Sequence, residues 1–261
     1  MDYSLFQGMP VFDSHLHLQL CNNLDLSRLS LYSVNSRFIC NATGADDFQK
    51  VLDICSESSL LIPAIGIHPW NAGTELEDRE LLVQLVKENN CRVLGECGLD
   101  KIKNRENYKK QIELLKFQLD LAGRFDLAVS LHCVRAWGDL LDIIKKHRKS
   151  LPSVMIHAYS GSVEMKKELE KLEVHISFSL FTLKRKNSKI SDCLKAASDR
   201  SLLLDTDFPY DEMQDLTDYN SMMQELYETA AETRDTDPVK LSELIYRNGK
   251  VYSSAAAAWQ G

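Results

Sequence analysis

The sequence predicts one α/β domain over residues 1–261, folded as a (β/α)8 TIM-type barrel with eight parallel strands and outer helices. Two observations predict it, and a third is consistent with it. Short β-rich apolar runs recur along the chain, and amphipathic stretches separate most of them. Several runs are apolar almost throughout, as in Leu60-Leu61-Ile62-Pro63-Ala64-Ile65-Gly66-Ile67, which suits strands buried on both faces. The length, 261 residues, permits a barrel, typically about 250 residues, without requiring one.

In chain order, strands are expected near 11–17, 36–42, 61–67, 92–97, 127–132, 153–158, 174–179 and 201–206. The first connection, 19–35, has no clear helical period. Helices are expected near 46–59, 75–90, 107–123, 136–149, 162–171, 188–198, 217–233 and 238–258. Within the third, Ile112, Leu115, Leu119 and Ala122 recur at helical spacing and Gly123 is a stop signal. The run Ala255 to Ala258 reads as a helix end. An open doubly wound sheet is the rival fold. It needs a glycine-rich phosphate loop after the first strand, and residues 18–23 contain no glycine.

Composition narrows the function classes. Hydrophobic content of 44% and charged content of 26% are ordinary for a globular protein. The first residues, Met1 to Gly8, have neither a basic start nor a long apolar run, so no secretory leader is expected. No stretch approaches a membrane span. The 7 cysteines are scattered and contain no Cys-x-x-Cys pair, which argues against a disulfide framework or zinc ribbon and for a reducing, cytoplasmic setting. A net charge of −7 argues against a wholly basic nucleic-acid surface, though not against a local basic rim.

The candidate site is written at strand ends. His15 and His17 lie two apart on the first strand, so they point to one face, and Asp13 is expected to share it. Glu96, His132, His157 and Asp207 each close another strand. Imidazoles and carboxylates buried there need hydrogen bonds, partners or a cation. Four histidines and two acids can hold two divalent cations if one carboxylate bridges them, and Glu96 is the bridging candidate. Such a pair lowers the pKa of a shared water and stabilises the attacking and leaving oxygens of a phosphoryl displacement. Asp207 can bind one cation and deprotonate the water. Glu96 and Asp207 are therefore the catalytic candidates. Of the other histidines, His68 follows the third strand and faces the rim. His147 sits at a helix C-terminus, and His175 starts a strand at the opposite end.

The ordered set Asp13-Ser14-His15-Leu16-His17, Gly66-Ile67-His68-Pro69, Gly95-Glu96-Cys97-Gly98-Leu99-Asp100, His132, His157-Ala158-Tyr159-Ser160-Gly161-Ser162 and Asp205-Thr206-Asp207-Phe208-Pro209 resembles the TatD family of metal-dependent DNases. The resemblance spans about residues 11 to 250. It implies an amidohydrolase-like barrel, two divalent cations (Mg²⁺, Mn²⁺ or Zn²⁺) and hydrolysis of DNA phosphodiesters, often from the 3′ end. By position, His15, His17, Glu96 and Asp207 would hold one cation. Glu96, His132 and His157 would hold the other. Lys101, Val134, Phe208 and the Ala158-Tyr159 pair depart from the family pattern, and they bear on substrate contacts rather than on metal ligands.

Two basic clusters, Lys101 to Arg105 and Lys184 to Lys189, follow strands and should reach the catalytic rim, where phosphates could dock. Trp70, Tyr159 and Phe181 could stack on unpaired bases. The expected substrate contacts are His68, Lys101, Arg135, Tyr159, Lys184 and Arg185. The leading reading is a metal-dependent 3′–5′ exonuclease on single-stranded or frayed DNA. The same site chemistry also suits hydrolysis of a small phosphoester, cyclic amide or lactone. A third reading is a barrel serving mainly as a component of a multiprotein assembly.

Overall fold

A computed structural model describes residues 9–73, 75–89, 91–184, 188–209 and 215–254. The strands are β1 (Phe12–Leu16), β2 (Arg37–Asn41), β3 (Leu61–Ile65), β4 (Val93–Asp100), β5 (Ala128–Val134), β6 (Val154–Ile156), β7 (His175–Ser179) and β8 (Leu202–Asp205). They pair in parallel in strict chain order. The helices between and after them are α1 (Phe48–Ser56), α2 (Leu76–Glu88), α3 (Tyr108–Arg124), α4 (Trp137–His147), α5 (Val163–Glu170), α6 (Leu180–Lys184), α7 (Ser188–Lys195), α8 (Leu216–Thr233) and α9 (Pro238–Ser254). The ends of the sheet meet. Ser14 donates to the Leu204 carbonyl at 2.8 Å, Asp207 N–H to His15 O at 2.9 Å, and His17 N–H to Phe208 O at 2.6 Å. Eight strands thus enclose a barrel, as expected.

All eight predicted strands form, each within a few residues of its expected bounds. The unperiodic first connection contains two short 3-10 turns, Leu18–Leu20 and Leu26–Leu31. The short α6, directly after β7, has no counterpart among the expected helices. Five residues are too few to display a helical period. No helix among the described residues is long and apolar enough to cross a membrane.

Two register slips shape the site. The β1–β2 pairing shifts by one residue between Asp13 and Leu16. A one-residue bulge reverses the faces on either side of it. Asp13 therefore does not share the face of His15, contrary to the simple alternation rule. It turns to the helix layer, where its carboxylate accepts from the Tyr219 hydroxyl of α8 at 3.1 Å and from the Thr206 hydroxyl at 2.6 Å. Burial there pushes its pKa up to about 7. The second slip falls between Leu94 and Cys97 and contains Glu96.

Close backbone approach fixes two glycines beside these slips. A Cβ on Gly66 would lie 2.8 Å from the Gly95 backbone. A Cβ on Gly98, whose φ is +151°, would lie 2.1 Å from the carbonyl oxygen of His132. Both contacts hold β4 against its neighbours where Glu96 and His132 must meet.

Candidate metal centre

Six of the side chains read from strand ends converge at the C-terminal mouth of the barrel. His15, His17, Glu96 and His157 are buried. Nε2 of His15 and Nε2 of His17 lie 3.1 Å apart. Oε2 of Glu96 is 3.4 Å from the first and 3.5 Å from the second. Oδ1 of Asp207 is 3.9 and 3.5 Å from the same two nitrogens. Four donors bound tetrahedrally at metal distances of 2.0–2.2 Å stand about 3.3–3.6 Å from one another. The spacings in the first donor set, 3.1 to 3.9 Å, bracket that range.

The second set uses the other oxygen of Glu96. Oε1 lies 2.9 Å from Nδ1 of His132 and 2.8 Å from Nε2 of His157, and those two nitrogens are 3.4 Å apart. His68 also enters this set, with Nε2 at 3.3 Å from Oε1. It is buried beside the centre rather than standing on the rim.

The far sides of the rings decide which nitrogen faces inward. Nδ1 of His17 donates to the Asn41 carbonyl at 2.7 Å, which leaves the Nε2 lone pair for a cation. Nε2 of His132 points to Oδ2 of Asp100 at 3.5 Å, so its Nδ1 faces Glu96. Nδ1 of His15 meets the Ser130 hydroxyl at 3.0 Å. Nδ1 of His157 is buried with no hydrogen bond among the described residues. Against its burial, Glu96 first and then Asp207 and Asp205 raise the pKa of that ring. Asp205 itself accepts from Ala158 N–H at 3.1 Å and from the Ser177 hydroxyl.

Burial opposes every charge here, yet the groups charge one another. Glu96 is held well below the usual carboxylate range because His68, His157 and His15 surround it. Burial pushes His15 down to about 3, and neighbouring His157 adds to the effect. His17 rises to about 9 against its burial through Asp207 and Glu96, and His132 rises to about 9 through Asp100 and Glu96. Divalent cations placed among these donors would supply the same compensation and displace the ring protons. The donor types, spacing and outward hydrogen bonds fit divalent cations.

The remaining expected contacts divide. Lys101 pairs with Asp139 at 2.6 Å, and Lys184 pairs with Glu225 at 2.6 Å. Arg135 is exposed just past β5, with φ of 52°. Arg185 lies outside the described residues. Tyr159 is a correction: it is fully buried, its hydroxyl donates to Ser162 O at 2.7 Å, and its ring packs on Trp137 and Phe178. It offers no surface to a substrate. Ala158, at φ of 43°, turns the chain so that the next side chain enters the outer core.

Asp100, which closes the same motif as Glu96, acquires its role only from the tertiary structure. It accepts from Trp70 Nε1 at 2.7 Å and from the backbone of Ile102 and Lys103, besides facing His132. The signal was present, because Asp100 also ends a strand and stands four residues, an even step, beyond Glu96.

An eight-stranded parallel barrel with histidines and carboxylates gathered at its C-terminal mouth defines a metal-dependent hydrolase. Residues 12–252 match the family described as TatD related DNase. The chain belongs to that family. It is 32% identical over 177 residues to the uncharacterized metal-dependent hydrolase YjjV of Escherichia coli K12, covering 66% of this chain and 68% of that protein. It is 23% identical over 227 residues to the 3′-5′ ssDNA/RNA exonuclease TatD of the same strain, covering 85% and 81%. The crystal structure of YjjV superposes with a TM-score of 0.80 over 94% of this chain and 98% of that one, at 23% identity. A TatD-family hydrolase from Entamoeba histolytica gives 0.77 at 16% identity, covering 94% and 99%.

Proposed function

We propose that this protein, one domain over residues 1–261, is a divalent-metal-dependent deoxyribonuclease that hydrolyses phosphodiesters by a 3′–5′ exonuclease action on single-stranded or frayed DNA ends. The observation that carries the reading is the division of Glu96. One oxygen faces His15 and His17, and the other faces His132 and His157. Such a carboxylate suits two cations held side by side. In this reading His15, His17, Glu96 and Asp207 hold one, and Glu96, His132 and His157 hold the other.

The cations supply an acidified water and charge stabilisation for the attacking and leaving oxygens. The chain's residues do the rest. Asn41 and Ser130 hydrogen-bond the far sides of His17 and His15, and the Asp100 carboxylate faces that of His132 at 3.5 Å. Asp207 remains ionised and is 29% exposed at the cavity, so it can take the proton of the attacking water. The mouth is a cavity of about 500 Å³ that also contacts Trp70, Asn71 and Pro209. The names of relatives that are single-strand exonucleases support the substrate class. Unpaired cysteines throughout the chain suit a cytoplasmic setting.

The test is degradation of 5′-labelled single-stranded and 3′-recessed DNA, with matched RNA, in Mg²⁺ or Mn²⁺. Shortening from the 3′ end is expected, and Glu96→Gln and Asp207→Asn should abolish it. Undiminished cleavage by either variant would overturn the assignment. The pairing of Lys101 and Lys184 with acids favours a second reading, hydrolysis of a small phosphoester, because it removes two expected phosphate contacts. Selective turnover of small p-nitrophenyl phosphodiesters over oligonucleotides would favour that reading.

A further inference from the structure

The cavity over the metal centre adjoins a second one of about 520 Å³. Leu20, Thr43, Trp70 and Asn71 line both, so they form the wall between them. The chemistry changes across that wall. The first cavity is floored by the histidines and carboxylates of the donor sets. The second carries Asp46, Asp47 and Asp78, and no lysine or arginine lines it among the described residues. Asp47 caps the β2–α1 connection, accepting from Thr43 and Gly44 N–H groups, but its charge stays in the lining. Asn104 and Asn107 add amides. Such a lining disfavours a phosphate and admits an uncharged group.

Trp70 is an anchored plate in the shared wall. Its indole N–H donates to Asp100 at 2.7 Å, and its carbonyl accepts from the Asn104 amide at 2.9 Å. The His68 ring meets it edge-on at 4.5 Å, and Nζ of Lys103 lies 3.7 Å from the ring centroid. Despite these four contacts the residue remains 44% exposed. A ring fixed from several sides loses little freedom when a flat ligand stacks on it.

We propose that the second cavity is a nucleobase subsite. It receives the base of the terminal nucleotide, stacked on the face of Trp70 opposite the Lys103 ammonium, while the scissile phosphodiester lies over the metal centre. The neutral base enters the acidic compartment, and the anion stays with the cations. This inference rests on the nuclease reading for its substrate class, and it makes Trp70 a specificity residue.

The experiment compares two single-stranded oligonucleotides of one sequence, ending in either a base-bearing or an abasic nucleotide, with the Mn²⁺-loaded protein. The kcat/KM ratio should favour the base by about tenfold, the size of one base–aromatic stack. A Cβ on Gly73, which lines the second cavity, meets nothing within 4 Å, so Gly73→Phe adds bulk at the cavity wall without a clash at Cβ. It should bring the ratio close to one, and Trp70→Phe should keep most of it. Calorimetric binding of dAMP and of 2-deoxyribose 5-phosphate gives a second measure. The base should tighten binding about tenfold in the native protein and not in Gly73→Phe.

If oligonucleotides are cleaved with no preference for a terminal base and Gly73→Phe changes nothing, the subsite is wrong and the nuclease reading stands. If no oligonucleotide is cleaved but dAMP keeps its advantage until Gly73→Phe, the subsite stands and the nuclease reading falls. If neither cleavage nor a dAMP advantage is seen, both fall.

Discussion

Oδ2 of Asp100 lies 3.5 Å from Nε2 of His132 and accepts the Trp70 indole N–H at 2.7 Å. One carboxylate thus anchors an aromatic wall of the mouth and faces a candidate metal ligand. Asp100→Asn should weaken divalent-cation binding by about 10- to 100-fold, the usual cost of removing such an outer partner. Competitive Mn²⁺ titration checks it. Unchanged affinity would show that His132 is positioned without Asp100.

Glu96→Gln keeps the shape of the side chain and removes its charge. Hydrolysis should fall by at least about 100-fold while the far-UV circular dichroism is retained, since Glu96 neighbours both donor sets. Asp207→Asn should lower kcat more than it raises KM. A purely structural Asp207 would instead shift the melting temperature and leave kcat of the folded fraction intact.

Cation binding should be visible in stability. A ligand bound only by the folded chain adds about 2.7 kcal/mol at a hundred times its Kd. Thermal melts in Mn²⁺ should therefore exceed those in a chelator, and His17→Ala should reduce the gap. Equal melting in both conditions would argue against a resident cation.

Gly98→Ala should destabilise the fold by about 2 kcal/mol or more, because the new Cβ meets the His132 carbonyl oxygen at 2.1 Å, and backbone cannot step aside cheaply. Urea denaturation measures this. A change under about 0.5 kcal/mol, typical of an unconstrained surface site, would mean that β4 and β5 tolerate wider spacing there.

His175 gives a pH prediction away from the metal centre. It is buried at the start of β7, where burial and then Arg148 hold its pKa down to about 4 from an ordinary 6.5. The unfolded chain binds this proton more readily. Stability is thus fully present above about 6.5 and declines as pH falls toward 4, by up to about 3 kcal/mol from this group. His175→Leu should flatten the urea midpoint against pH over that window. Parallel profiles for the two proteins would exclude the effect.

Much of the barrel was legible because its strands carry a local signature. Ile62 to Ile65 or Leu202 to Leu204 are apolar runs that any parallel, doubly covered strand requires. His132, His157 and Asp207 were legible for a related reason, since a polar residue ending such a run is costly unless it has work to do. Asp13 was misread because alternation predicts a face only while register holds, and the bulge after it has no sequence mark. Tyr159 was misread as a surface ring because its placement depends on the left-handed turn at Ala158 and the space between Trp137 and Phe178.

By itself, the sequence determined the number and order of the strands, the family pattern and the residue types that meet at the mouth, because these follow from local hydrophobic period and from the end of each run. Only the tertiary structure decided which oxygen of Glu96 faces which histidines, that His68 joins the centre, that Lys101 and Lys184 are engaged by Asp139 and Glu225, and that a second acidic cavity stands behind Trp70. Those relations join residues from separate strands and loops, and their distances are set by register slips and close backbone contacts that no single segment encodes.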